Sequence, residues 1–239
     1  AGLRAVQLGT QGALDSVKAA FEQAAGTSSA SVVPPGETDA SLPPGTLARV
    51  DAAKGVEAAL PSVRVTTVRK QELSTWQAPL YPGEVNGLLV FGVDFAREEG
   101  HGRVVPESGT PLAPGVWLGA AYARAHAIAP GDTLELVAPG SGADLVVSGL
   151  LAREGLATHN RGQVLIAPIE VVREAFGLAP EATSEIALVI PDARLERVVE
   201  QLRASLGAGA SVVRPGERGK DVVLRMNNIR AGTDLTSSL

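Results

Sequence analysis

The chain has 239 residues, long enough for one large domain or two small ones with real cores, and a formal net charge of −5 with no basic block. That balance argues against nucleic-acid binding, which needs a clustered cationic face. With no cysteine there is neither a disulfide framework nor thiolate chemistry, and with aromatics at 3% the cores are expected to be aliphatic.

No stretch reaches the roughly 18 continuous apolar residues of a transmembrane helix. No signal peptide is visible, and the chain begins at Ala1. Two readings fit these facts: a processed or trimmed soluble protein, or a domain excised between two membrane helices.

In chain order, Ala1 to Ala25 reads as a helix, with Leu3, Val6, Leu14, Val17 and Phe21 near a 3.6-residue period and Gly26 as its stop. Ser29 to Val33 is a short strand, and residues 34–45 form a turn-rich segment. Thr46 can cap a helix from about Leu47 to Leu60, which Pro61 should end. Ser62 to Lys70 is then a strand. A second strand–helix–strand unit lies at Glu185–Ile190, at a helix with Leu195, Val198, Val199, Leu202 and Leu206 on one face, and at Ala210–Arg214.

Two such units side by side predict a ferredoxin-like, split-βαβ subdomain of residues 29–70 and 185–218. Residues 71–184 would be a β-rich subdomain inserted into it. Within the insert, Asn86–Val93 and Gln163–Ala167 are strands, and Ile169–Phe176 is a helix stopped by Gly177. Arg97–Gly115 is polar and rich in Gly and Pro, which predicts a mobile loop. Segments 1–28 and 219–239 flank this α+β scheme; Val222, Val223, Met226 and Ile229 are helically spaced in the second, which Asn227-Asn228 and Gly232 weaken as a helix.

The middle of the insert, Gly115–Leu150, carries the most specific pattern. Gly115–Gly119 opens a small-residue helix from roughly Ala120 to Ala127. Pro130-Gly131-Asp132 turns the chain, because Pro lacks the N–H and Gly supplies unusual φ. Thr133–Val137 and Asp144–Leu150 alternate as strands around a glycine turn at Gly140–Gly142.

The spacing of Leu118, Gly119, Ala123, Ile128, Gly131, Asp132, Leu134 and Leu136, followed by Val147 and Gly149, resembles the extracytoplasmic, or periplasmic core, domain of MacB/FtsX-type ABC transporter permeases. The order of elements along nearly the whole chain is similar too. In that family the domain lies between the first and second membrane helices. The resemblance implies a porter-type, non-enzymatic domain on the periplasmic or extracellular side of the cytoplasmic membrane. It implies no cofactor and no metal. Its implied partners are a cytoplasmic ABC ATPase subunit or domain, a second permease copy or homologue, and an envelope protein or lipoprotein cargo. The implied work is transmission of ATP-driven motion through the two flanking segments as stalks, in lipoprotein release, efflux or hydrolase activation. Joints near Pro79–Gly83 and Leu178–Glu181 are candidate hinges. The alternative is a stand-alone secreted ligand- or protein-binding module without catalysis.

Individual residues offer little chemistry. His101, His126 and His159 are too widely separated for the close spacing of a metal site and read as solvated or structural. Glu98-Glu99-Gly100-His101 reads as a solvated charge run. Ser108, Ser141 and Ser148 lack the G-x-S-x-G setting of a nucleophile. Gly140–Gly142 precedes a strand, not a helix, so it is a hairpin turn and not a phosphate cradle. Asp132 is expected to cap turn amides. Leu118, Gly119, Gly131, Asp132 and Gly149 are expected to be structural. Phe91 and Trp117 should be buried. Trp76 and Tyr81 lie in an expected loop and are the candidate partner contacts.

Overall fold

The computed structural model describes residues 23–36, 40–73, 87–107, 111–138 and 140–215. Most of the first expected stalk, all of the second, Pro79–Gly83, Trp76 and Tyr81 lie outside the described residues.

The fold is α+β. Four strands, β1 (Ala30–Val33), β2 (Ala58–Arg69), β8 (Glu185–Val189) and β9 (Ser211–Val213), lie in the order β9-β1-β8-β2, all antiparallel to their neighbours. This is the split-βαβ pattern. Helix α1 (Thr46–Asp51) connects β1 to β2, and α5 (Leu195–Leu206) connects β8 to β9. One aliphatic core joins this sheet to its helices, with Val32, Val50, Ile186, Leu188, Val198 and Leu202 fully or nearly fully buried. The apolar stripe of α5 that faces the sheet repeats at helical spacing, as the sequence predicts.

The remaining strands are β3 (Leu88–Val93), β4 (Val116–Gly119), β5 (Thr133–Ala138), β6 (Ser141–Leu151) and β7 (Val164–Pro168). They run β3-β7-β4-β6-β5 and return to β2 at both ends, through β3 and through β5. Six strands including β2 therefore close into a barrel. Every strand sends residues inward: Val63, Val90, Leu118, Leu136, Val147 and Leu165 share one cluster with Ile169 and Val172 of α4 (Ile169–Ala175).

Burial explains the strand patterns. On β5 and β6, Leu134, Leu136, Leu145 and Val147 are buried while Thr133, Asp144, Val146 and Ser148 are exposed, the alternation of a sheet with one wet face. On β3, β4 and β7 nearly every residue is buried. Their outer face carries a second cluster, including Phe91, Trp117 and Ile166, covered by Phe95, Val104, Leu156 and Ala157. Phe91 and Trp117 are thus both in the interior.

Three expectations fail. The helix predicted to Leu60 ends at Asp51. Gly55 has φ +100°, which a helix cannot accommodate, and Ala58 to Leu60 are drawn into β2 beside β8. Pro61 lies inside that strand, where β2 has β8 on one side and pairing with β3 starts only at Ser62. A proline is tolerated in a strand at such a half-open position. Second, the helix expected from Ala120 to Ala127 does begin at Ala120 but ends at Ala125 (α3, Ala120–Ala125), and its lead-in Val116–Gly119, not read as a strand, forms β4, paired with β6 and β7. The large apolar residues of Val116–Leu118 suit a strand paired and buried on both sides, while the small residues after Gly119 form the helix. Third, the segment after Arg97 is not simply a polar loop. Asp94 caps a short helix, α2 (Phe95–Glu98), by accepting from the amides of Ala96 and Arg97. Pro106 then bridges to Leu151.

Helices α3 and α4 end in the same way. After α4, Leu178 N–H donates to Arg173 O and Gly177 N–H to Glu174 O, with Gly177 at φ +63°. After α3, Ile128 N–H donates to Ala123 O and Ala127 N–H to Arg124 O, with Ala127 at φ +53°. Both are Schellman closures. One uses the residue suited to the left-handed region, and the other does not. The expected hinge at Leu178–Glu181 leads into a turn in which Ala182 N–H donates to Ala179 O, and the Arg173 guanidinium holds Ala182 O at 2.8 Å.

Candidate functional site

Helix α3 and the end of β2 meet at one end of the barrel. A 3-10 turn, Lys70–Glu72, follows β2 directly. Arg69 donates to Glu72 through Nε at 3.0 Å and Nη2 at 2.6 Å. From α3, the Tyr122 hydroxyl donates to Glu72 Oε2 at 3.1 Å. His126, at the C-cap of α3, places Nδ1 2.8 Å from Arg69 Nη2 and 3.3 Å from Glu72 Oε1. The Tyr122 and His126 rings lie 4.2 Å apart, and the Arg69 guanidinium stands 5.7 Å from the Tyr122 ring centre.

The electrostatics of this cluster are mutual. Burial pushes the Glu72 carboxyl up, but the Arg69 hydrogen bond and charge, with Tyr122 and His126, outweigh it and leave the group below its ordinary value. Burial and the Glu72 charge push the Tyr122 phenol well above its ordinary value, so it keeps its proton and serves as a donor. Burial pulls Arg69 down, but Glu72 and Tyr122 more than compensate. The result is a fixed clasp between β2 and α3, in which Glu72 stays ionised and Tyr122 keeps its proton. The described residues contain no group of three or more His, Asp or Glu side chains arranged to hold a metal ion.

A second polar cluster joins the barrel to the split-βαβ sheet. Glu98 and Arg103 form an ion pair at 2.8 Å, with side chains only 1% and 2% exposed. Glu98 is therefore not part of a solvated charge run, as its sequence neighbours suggest. It is turned inward by α2, and Arg103 also reaches Leu60 O on β2. Burial pushes the Glu98 carboxyl up while Arg103 pulls it down, and burial prevails. Arg97 bridges the same two halves, donating to Asp51 at 2.9 Å and to Ala59 O at 3.0 Å.

The residues singled out in Gly115–Leu150 all lie on or beside the barrel wall. Leu118 is fully buried in the barrel core. A Cβ on Gly119 would collide with the carbonyl oxygen of Gly162, and one on Gly149 would meet the Trp117 ring. Gly131 has φ +98°, and Asp132 accepts the Ala129 amide at 2.8 Å. His101 bonds to Thr27, and His159 packs against Phe91. Sequence reasoning passed over Arg69, Glu72 and Tyr122. Tyr122 and His126 do stand four apart on one helix face, which is a signal for contact. Their partners, about fifty residues away, leave no local trace.

Among solved structures, the chain is similar to the periplasmic region of MacB from Actinobacillus actinomycetemcomitans. The TM-score is 0.54 at 11% identity, covering 82% of this chain and 93% of that one. It is also similar to the extracellular domain of the noncanonic ABC-type transporter YknZ from Gram-positive bacteria, with TM-score 0.52, 11% identity, and coverage of 77% and 98%. At that identity the likeness concerns the fold. No curated protein matches the sequence. The sequence itself matches the MacB-like periplasmic core domain over residues 5–205. The chain thus belongs to the family of MacB-like periplasmic core domains of ABC transporter permeases.

Proposed function

We propose that this domain transmits ATP-driven motion of its permease to a cargo or partner in the cell envelope. It stands on the outer side of the cytoplasmic membrane, joined to membrane helices through residues 1–28 and 219–239. Residues 29–70 with 185–218, and residues 71–184, are its two units. The observation that carries this reading is β2. It pairs with β8 from Ala58 to Ser62, with β3 from Ser62 to Thr67 and with β5 at Val68 and Arg69. One continuous strand thus serves both units, and a push on either reaches the other through backbone hydrogen bonds. The ATPase is a cytoplasmic subunit or domain, and a second permease copy completes the assembly. Trp76 and Tyr81 are the proposed contacts to the envelope partner.

Sequencing the parent gene on both sides tests this. Roughly 20 apolar residues before Ala1 and again after Leu239 are expected. A stop codon after Leu239, with only a cleaved leader upstream, would overturn the reading in favour of a secreted binding module. With the helices present, Trp76→Ala and Tyr81→Ala should weaken partner capture while leaving ATP hydrolysis intact.

A further inference from the structure

The described end of the N-terminal segment is helical at residues 23–25 and reaches Gly26 at φ +58°. Gly26 lies against the backbone of the turn at residues 100–103, where any Cβ would collide with His101 O. The next residue, Thr27, is tied to the same turn twice. Its amide donates to His101 O at 3.0 Å, and its hydroxyl meets His101 Nδ1 at 2.8 Å. The same turn is met by Gly155, at φ +54°, where a Cβ would collide with Arg103 O. Leu156 N–H donates to Arg103 O at 2.8 Å. The turn is therefore contacted by two glycines from distant parts of the chain, and the buried Glu98–Arg103 pair supports it from within.

Gly155 begins the segment Gly155–Gly162, a 3-10 turn followed by a kink at His159–Arg161, which continues the path. Asn160 Nδ2 donates to Gly87 O at 2.9 Å, at the entrance to β3. Gly162 O abuts Gly119, where β4 passes into α3.

We infer that residues 100–103 form a socket that receives the end of the N-terminal segment and couples its displacement to the Gly155–Gly162 segment. This rests on the motion-transmitting role proposed above and names the place where motion enters the folded body. Backbone-to-backbone contact suits such a task. Gly26 meets the carbonyl of His101 so closely that not even a Cβ fits between them, which leaves little slack to absorb a shift. Contiguity alone is not coupling, so the test measures coupling directly.

The measurement is native-state amide exchange on the 1–239 chain, comparing the Thr27 and Leu156 amides, which bond to His101 O and Arg103 O of the socket. The Leu178 amide, bonded to Arg173 O at the end of α4, is the control. Gly26→Ala should speed exchange at both Thr27 and Leu156 by about tenfold or more, with Leu178 unchanged. Thr27→Val removes only the hydroxyl contact and should move Leu156 in the same direction by less. A change confined to Thr27 in both variants would overturn the inference. If Gly26→Ala speeds all three amides, Thr27→Val alone decides. The result does not depend on the gene: a parent without flanking membrane helices would remove the transporter role and leave the socket standing. In a parent with them, Gly26→Ala should lower transport-coupled ATP hydrolysis, and full retention beside a positive exchange result would sink the transporter reading of the socket.

Discussion

The indole of Trp117 lies across Gly149, its register partner on β6, so closely that a Cβ on Gly149 would come within 2.5 Å of the ring. Trp117 Nε1 donates to Ala113 O at 2.9 Å, which fixes the ring in that position. The glycine here serves close approach and not backbone freedom. Gly149→Ala should therefore destabilise the fold by about 1–3 kcal/mol, the usual cost of overpacking a full core. Urea unfolding followed by Trp fluorescence measures it. A cost near zero would mean the ring can move aside.

Ala127 occupies a left-handed position that Gly177 occupies in the matching closure of α4. A Cβ in that region costs roughly 1 kcal/mol. Ala127→Gly should accordingly raise stability by about 0.5–1 kcal/mol, after the added freedom of the unfolded chain is subtracted. The reverse change, Gly177→Ala, should lower it by a similar amount. The pair of variants, compared in denaturant, tests whether the two helix ends obey one rule.

The buried ion pair makes an asymmetric prediction. Arg103→Ala leaves Glu98 without its cation in the interior and should cost about 3–5 kcal/mol. Glu98→Leu with Arg103→Met removes both charges and should recover most of that loss. Equal instability in the double and single variants would show that Arg103 matters for its bond to Leu60 O and not for its charge.

Glu72 should give the domain part of its acid sensitivity. Its carboxyl titrates lower in the folded chain than in the unfolded one. The unfolded state then binds the proton more readily, so the stabilisation is complete above the ordinary carboxylate value, about 4.3. It is lost as the pH falls through the folded value. Glu72→Gln should be less stable than the parent at pH 7, and the gap should narrow steadily below pH of about 4. A gap independent of pH would assign the effect to shape and not to charge.

Much of this architecture was legible because its signals are local. Leu134 and Leu136 on one strand, and Leu145 and Val147 on the next, alternate with polar residues and announce a half-wet hairpin. Val198, Val199, Leu202 and Leu206 mark the inward face of α5. The order of units in the chain implied the split sheet. What escaped was decided at a distance. The barrel closes through only two register pairs between β2 and β5, Val68 with Val137 and Arg69 with Leu136. Glu98 read as solvent-facing like its exposed neighbours Glu99 and Gly100, because nothing local reveals that α2 turns this one side chain inward. The helix predicted to Leu60 had adequate periodicity, but sheet pairing at Ala58–Leu60 outweighed it. In the site, the Tyr122–His126 spacing was visible, whereas Arg69 and Glu72 were joined to it by topology alone.

The shared strand has a consequence for dissection of the molecule. Cutting after Arg69 to isolate the barrel would strip it of a wall, and cutting before Ala58 would leave β8 with a bare edge inviting a foreign strand. Neither half is a self-sufficient piece, so denaturant should melt both together in a single step. Shuffling with relatives should succeed only when both halves travel with their own β2.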